Sequence, residues 1–347
     1  MLFRSVEAFQ KAVDMIFGLP GKSKRTAHYY FHLGMAQYKL QDLQGALKSL
    51  KRAGDMRSLL LWNNTERAAL TYYTLGEVQR DTGDLKGAME SLQSAANIRS
   101  KLLGDHRDTA IAYYSLGLVQ RDMGDLKRAL KSLQSAANIT SRLLGEHRDT
   151  AIAYYTLGEV QRDTGDLKRA IESLQSAANI RSKLLGDHRD TAIAYYSLGL
   201  VQRVMGDLKG AMDSLQRAAT MRSSVLGDHE DTASSYHFLG LMQRDMGDLK
   251  GAMDSLQRAA NMRSNLLGDH EYTASSYHEL GVVQHGMGDL EGALQSLHKA
   301  IDMRTNPRGD HGDTTSSLNE LRAVRRKLSS GHSLLGKVFR RRNRHAK

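Results

Sequence analysis

With 347 residues, of which 40% are apolar, 25% charged and 6% aromatic, the chain can bury a sizeable core. It has no cysteine, which excludes disulfides, thiolate metal sites and cysteine nucleophiles. The formal charge of +11 suggests a nucleic-acid partner until it is located: residues 322 to 347 hold ten Lys/Arg and no Asp/Glu, so only +1 belongs to the rest. Two prolines against 31 glycines favour long helices with short, glycine-marked turns, and an all-α fold is expected. MLFRSVEAFQ has no apolar signal core, and no run approaches the roughly 18 apolar residues of a membrane-spanning helix. No transmembrane segment is therefore expected, and the location is read as cytoplasmic. The sequons Asn63-Asn64-Thr65 and Asn138-Ile139-Thr140 are then chance matches.

In chain order, residues 1–24 come first as a partial repeat, a second helix with its connector. SVEAFQKAVDM at Ser5 to Met15 aligns with the second-helix sequence ALQSLHKAIDM at Ala293 to Met303, so a longer parent protein is expected upstream of Met1. Gly18-Leu19-Pro20-Gly21-Lys22-Ser23 resembles half a phosphate-binding loop, but two residues separate its glycines where the loop needs four. No nucleotide or other cofactor is expected.

Residues 25–308 read as seven helix-pair repeats. The connector glycines Gly104, Gly145, Gly186, Gly227, Gly268 and Gly309 recur every 41 residues, as do Gly76, Gly117, Gly158, Gly199, Gly240 and Gly281, whereas Gly34 to Gly76 spans 42. In the copy starting at Gly104, Tyr113, Leu116, Gly117 and Gln120 share one helical face. After the Gly124-Asp125 turn, Leu126, Ala129, Leu133 and Ala136 share another. Asp108 or Thr109 is the expected N-cap of the first helix and Asp125 that of the second. One pair cannot bury both its faces, so the pairs must stack into a solenoid. Residues 309–330 form a degenerate capping repeat, with Arg322 where the other copies have glycine, and 331–347 a basic tail expected to be disordered.

Tyr113-x2-Leu116-Gly117 and Ala129-x3-Leu133-x2-Ala136 resemble the W-x2-L-G and A-x3-F-x2-A signatures of the tetratricopeptide repeat over about residues 25 to 320. The LLGDHxDTA connector and lengthened second helix are similar to the kinesin light chain and nephrocystin-type branch. HEAT and armadillo repeats share the period but not these signatures. The resemblance implies a right-handed superhelical solenoid of stacked antiparallel helix pairs, whose first helices line a concave groove for peptides or partner helices. Two departures stand beside it: the branch's Asp-His-Pro connector is Asp-His-Arg or Asp-His-Glu here, and its paired asparagines are Tyr114-Ser115 and their equivalents.

Helical spacing puts Tyr114, Leu118 and Arg121 on one stripe apart from the packing face. Repeated along the chain, its aromatic row is Tyr73, Tyr114, Tyr155 and Tyr196, changing to His237 and His278. Its basic row is Arg80, Arg121, Arg162, Arg203 and Arg244, ending at His285. Tyr and Arg are favoured anchors for a partner with acidic and apolar groups. Each Arg except Arg203 is followed by aspartate, where local pairing competes, and Val204 leaves Arg203 the least neutralised by sequence.

The connector histidines His106, His147, His188, His229, His270 and His311 come one per repeat. Neighbouring helices lie about 8–10 Å apart, too far to share a metal, so no metal site is expected. His106-Arg107-Asp108 mimics a kinase catalytic loop without its asparagine. Nearly every polar residue recurs on a separate rung, so no convergent catalytic cluster is visible and no enzyme is expected. The expected function is a protein-interaction scaffold. The rival readings are a nucleic-acid or anionic-membrane contact, or a nuclear import signal, through Arg340, Arg341, Arg342 and Arg344, and a sensing or assembly arm of a larger protein.

Overall fold

A computed structural model of the chain describes residues 2–17, 24–59, 65–305 and 314–344, and the side chains of residues 6–15, 24–58, 65–305 and 314–330. The half phosphate loop at Gly18 to Ser23, Asn63 and Asn64, His311 and the side chains of Arg340, Arg341, Arg342 and Arg344 lie outside the described set. Among the described residues there are sixteen helices and no strand. They fall into two compact units, Met1–Ile180 and Arg181–Lys347, divided within one helix.

The first unit opens with α1 (Leu2–Phe17), which packs on α2 (Lys24–Lys39). Helix pairs follow: α2 with α3 (Leu43–Leu59), α4 (Glu66–Asp81) with α5 (Leu85–Leu103), and α6 (Arg107–Asp122) with α7 (Leu126–Leu144). Then come α8 (Arg148–Asp163) and α9 (Leu167–Leu185), the helix in which the division falls. The second unit holds the pairs α10 (Arg189–Met205) with α11 (Leu208–Leu226), α12 (Glu230–Asp245) with α13 (Leu249–Leu267), and α14 (Glu271–Met287) with α15 (Leu290–Thr305). It closes with α16 (Thr315–Arg344).

Each pair is held by the same contacts. Leu116 and Leu133 are almost fully buried, each contributing about 1.5–3 kcal/mol by its burial. Gly117 is small because a Cβ there would come within 2.7 Å of the Leu133 side chain. The helices reverse at Gly124, whose positive φ of 78° a side chain rarely adopts, and Asp125 then caps α7 by accepting from the Arg128 N–H at 3.1 Å. Inside the pair, the Ser132 hydroxyl donates to Gln120 Oε1 at 2.8 Å, a bond repeated by Ser91 and Gln79. Successive pairs then bury their outer faces on one another, as where Ala88, Leu92 and Ala96 of α5 meet Ala112, Leu116 and Val119 of α6.

One expectation is revised. The N-cap of the first helices is neither Asp108 nor Thr109 but His106, whose ring Nδ1 accepts from the Asp108 N–H at 3.2 Å. His147, His188, His229 and His270 repeat the arrangement. The imidazole imitates a short capping acceptor, which is the task of the connector histidine. At the chain end, α16 anchors through Leu321 and Val324 against Ala293 and Leu297, and its backbone stays helical to Arg344.

Candidate partner-binding face

The first helices carry the aromatic and basic rows, three rungs of them in each unit. Tyr73, Tyr114, Tyr155 and Tyr196 are half-buried, as is His278, and His237 is buried. Their hydroxyls are used between repeats: Tyr114 bonds to Thr156 at 3.1 Å, and Tyr73 receives the Ser115 hydroxyl at 3.4 Å. Burial pushes the hydroxyls of Tyr73 and Tyr196 above the usual phenol range.

The rings are also covered from one side by residues that sequence reasoning missed. Arg57, Arg99, Arg222, Arg263 and Arg304 of the second helices are buried, each at the equivalent position of its repeat. Arg99 lies 4.9 Å from the centroid of Tyr73 and Arg222 4.4 Å from that of Tyr196, and Arg57 stacks on Phe31 at 5.3 Å. Four of them also donate to a main-chain carbonyl at the start of the next first helix. Arg99 reaches Asp108 O at 3.0 Å, Arg222 reaches Asp231 O at 2.8 Å, Arg263 reaches Tyr272 O at 3.2 Å, and Arg57 reaches Arg67 O. A desolvated cation–π contact contributes about 2 kcal/mol. Where histidine replaces tyrosine, a glutamate takes part in holding the arginine: Arg263 pairs with Glu230 at 2.9 Å and Arg304 with Glu271 at 2.7 Å. The available signal was the spacing, which puts Arg99 four residues after the buried Ala95 on the packing stripe.

His237 sits inside this network, with its Nδ1 3.2 Å from the Ser276 hydroxyl, which also receives Arg263 at 2.8 Å. Burial, with Arg263, Arg203 and Arg244 nearby, pushes its pKa down to about 3, so it is neutral. The His278 pKa is also lowered, chiefly by burial.

The basic row is not uniform. Arg121 pairs with Asp122 at 3.3 Å, and Arg162 with Glu159 and Asp163, each at 2.9 Å. Burial opposes the Arg162 charge, but the bond to Asp163 and the two carboxylates outweigh it and raise its pKa. Arg244 pairs with Asp245 and Glu279, and His285 with Glu320 at 2.6 Å. The Arg80 charge acts on the Glu77 carboxyl, lowering its pKa against the effect of burial, although no ion pair as close as those above joins them, and among the described residues no carboxylate pairs with Arg203. Arg203 instead stacks on Phe238 at 5.7 Å, and its neighbour Val204 is 71% exposed. In the column between the two rows, Glu77 is half-buried and its pKa is raised, chiefly by burial.

No group of three or more metal-ligating side chains occurs among the described residues, and no helix there is long and apolar enough to cross a membrane.

A repeated, capped helix pair whose neighbours interlock through small residues and leucines defines an α-helical repeat protein. The chain belongs to the tetratricopeptide repeat family, whose profile matches residues 67–142, 116–183, 149–224, 190–265 and 231–306. Among solved structures it is similar to nearly identical kinesin light chain TPR-like repeats from Podosopora anserina, at 18% identity and a TM-score of 0.50 over 58% of this chain and 98% of that one. It is also similar to BtubC (BKLC) from P. vanneervenii, at 19% identity and 0.51 over 65% and 92%. The apo form of RapI matches at 16% and 0.53 over 80% and 97%. These likenesses concern the fold. No curated protein matches the chain in sequence.

Proposed function

We propose that the chain is a non-enzymatic interaction scaffold that holds a peptide or helical segment of another protein along its first helices. The observation that carries this reading is the half-buried Arg203, which lacks a carboxylate partner in a row where Arg121, Arg162 and Arg244 have one, together with Arg80, which forms no close ion pair although the Glu77 carboxyl lies near it. A partner carboxylate beside such a group gains a charge-assisted hydrogen bond with little competition from the chain itself. The partner is therefore an acidic segment with apolar side chains, the latter meeting Leu118 and the open edges of the tyrosine row. Membership of the family supports the general role.

The test is affinity capture with the intact chain, followed by binding measurements on Arg80→Glu and Arg203→Glu. Each reversal is expected to weaken the captured partner at least tenfold, while Arg121→Glu, whose charge is already paired, has a smaller effect. Unchanged affinity in the Arg80 and Arg203 variants would remove the first-helix face from consideration.

A further inference from the structure

Among the seven full helix-pair repeats the arginine column has one exception. Thr140 stands where Arg57, Arg99, Arg181, Arg222, Arg263 and Arg304 stand in the other repeats. Its hydroxyl is taken up by its own helix, donating to the carbonyls of Ala136 and Ala137 at 3.0 and 3.1 Å. The shorter side chain opens a cavity of about 190 Å³, walled by Thr140, Tyr114, Ile111 and Ile152 together with Arg107 and Asp149.

Two of those wall residues have equivalents that hold a guanidinium elsewhere. One repeat earlier they are Tyr73 and Asp108, which place Arg99 at 4.9 Å from the ring and 3.0 Å from the carbonyl. Two repeats later they are Tyr196 and Asp231, with Arg222 at 4.4 and 2.8 Å. Arg107 does not bar a second cation, because it is tied to Asp149 at 2.9 Å. Its equivalent Arg189 leans to Asp231 at 3.7 Å while Arg222 still stacks beside it. The Tyr114 hydroxyl is bonded to Thr156, and Tyr114, two isoleucines and Asp149 line the cavity, Asp149 at the position whose main-chain carbonyl receives the arginine in the other repeats.

We propose that this cavity receives an arginine side chain from a partner polypeptide. The guanidinium stacks on Tyr114 and donates to the Asp149 carbonyl, and its aliphatic stem lies along Ile111 and Ile152. A planar guanidinium suits a ring face better than a strongly hydrated ammonium, and its stem suits apolar walls. The inference rests on the scaffold class of function but not on the first-helix arginines, and the two fail separately: a silent cavity leaves the effects of Arg80→Glu and Arg203→Glu unaltered.

The experiment titrates N-acetyl-arginine methylamide, and its lysine and leucine counterparts, into the full chain carrying methyl-labelled isoleucine and threonine. The arginine compound is expected to give saturable shifts at Ile111, Ile152 and Thr140. The lysine compound should bind at least tenfold more weakly, and the leucine compound should leave these signals in place. Thr140→Ala is expected to keep the response at the two isoleucines. Thr140→Arg is expected to abolish the shifts at the two isoleucines and to raise Tm by about 2–4 °C, the shift that roughly 1 kcal/mol gives in a domain of about 150–250 residues. Equal or larger shifts with the leucine compound would mean a plain apolar cavity. That result, the absence of any shift with the arginine compound, or an undiminished isoleucine response in Thr140→Arg, would overturn the proposal.

Discussion

His237 stands at a tyrosine position but titrates on the acid side of neutrality, and the exchange couples stability to acid. Its folded pKa of about 3 lies below the ordinary 6.5, so between those values the unfolded chain takes up a proton that the folded chain refuses. Stability is therefore intact above pH 6.5 and falls as pH drops through this window, by up to about 1.4 kcal/mol per pH unit from this group, levelling off below about pH 3. Denaturant unfolding of the wild type and His237→Gln at pH 7, 5 and 4 checks this. The variant is expected to have the shallower pH dependence, and parallel curves would contradict the assignment. Gln41 offers a second test. It takes φ 64° at the turn where later repeats have glycines such as Gly83 and Gly124. A side chain in that region costs roughly 1–2 kcal/mol, partly offset by the greater freedom glycine loses on folding. Gln41→Gly is thus expected to stabilise the protein by about 0.5–1 kcal/mol in thermal or denaturant unfolding.

For the helices, the caps and the close approach of paired elements set the energetics. Asp125→Ala removes the acceptor at the start of α7 and is expected to cost about 1 kcal/mol in denaturant unfolding. Gly117→Ala adds a methyl 2.7 Å from the Leu133 side chain and 3.3 Å from its main-chain nitrogen, so it must displace α7. Overpacking of this kind costs about 1–3 kcal/mol, which outweighs the roughly 1 kcal/mol that alanine gains over glycine as a helix former. The pairs, their turns and the Leu116, Gly117 and Leu133 contacts were legible because burial leaves a periodic trace in apolar and small residues. The histidine caps were not, because pattern rules look for short oxygen acceptors before a helix, and His106 supplies a ring nitrogen instead. The arginine column was hidden for a related reason: Arg99 reads as solvent-facing by type although it follows Ala95 on the packing stripe. Its burial depends on Tyr73 and on a carbonyl of the next repeat, neither of which is local to it. Tyr73 and Arg80 lie on a first helix, as their spacing suggests, but which rings are covered and which charges are paired depends on side chains of neighbouring helices that no local pattern records.

In a stack of similar pairs, stability is a sum of local and nearest-neighbour contributions. Gly117→Ala is accordingly expected to lower amide hydrogen-exchange protection in α6 and α7 and in the helices packed on them, while α12 to α15 keep theirs. Uniform loss of protection throughout would show that the chain unfolds as one block. The two units and the 41-residue step predict a graded response instead.

The same step gives the Thr140 cavity a property that few binding sites have, which is that it can be counted. Deleting Gly104 to Leu144 removes one whole period and joins Leu103 to Gly145, an in-register splice in which Arg99 faces the Asp149 carbonyl and closes the site. Duplicating the same residues instead places a second threonine one period along. Arginine-probe stoichiometry would then run from zero through one to two while the helix pairs on either side keep their contacts, making copy number itself the variable that sets valence.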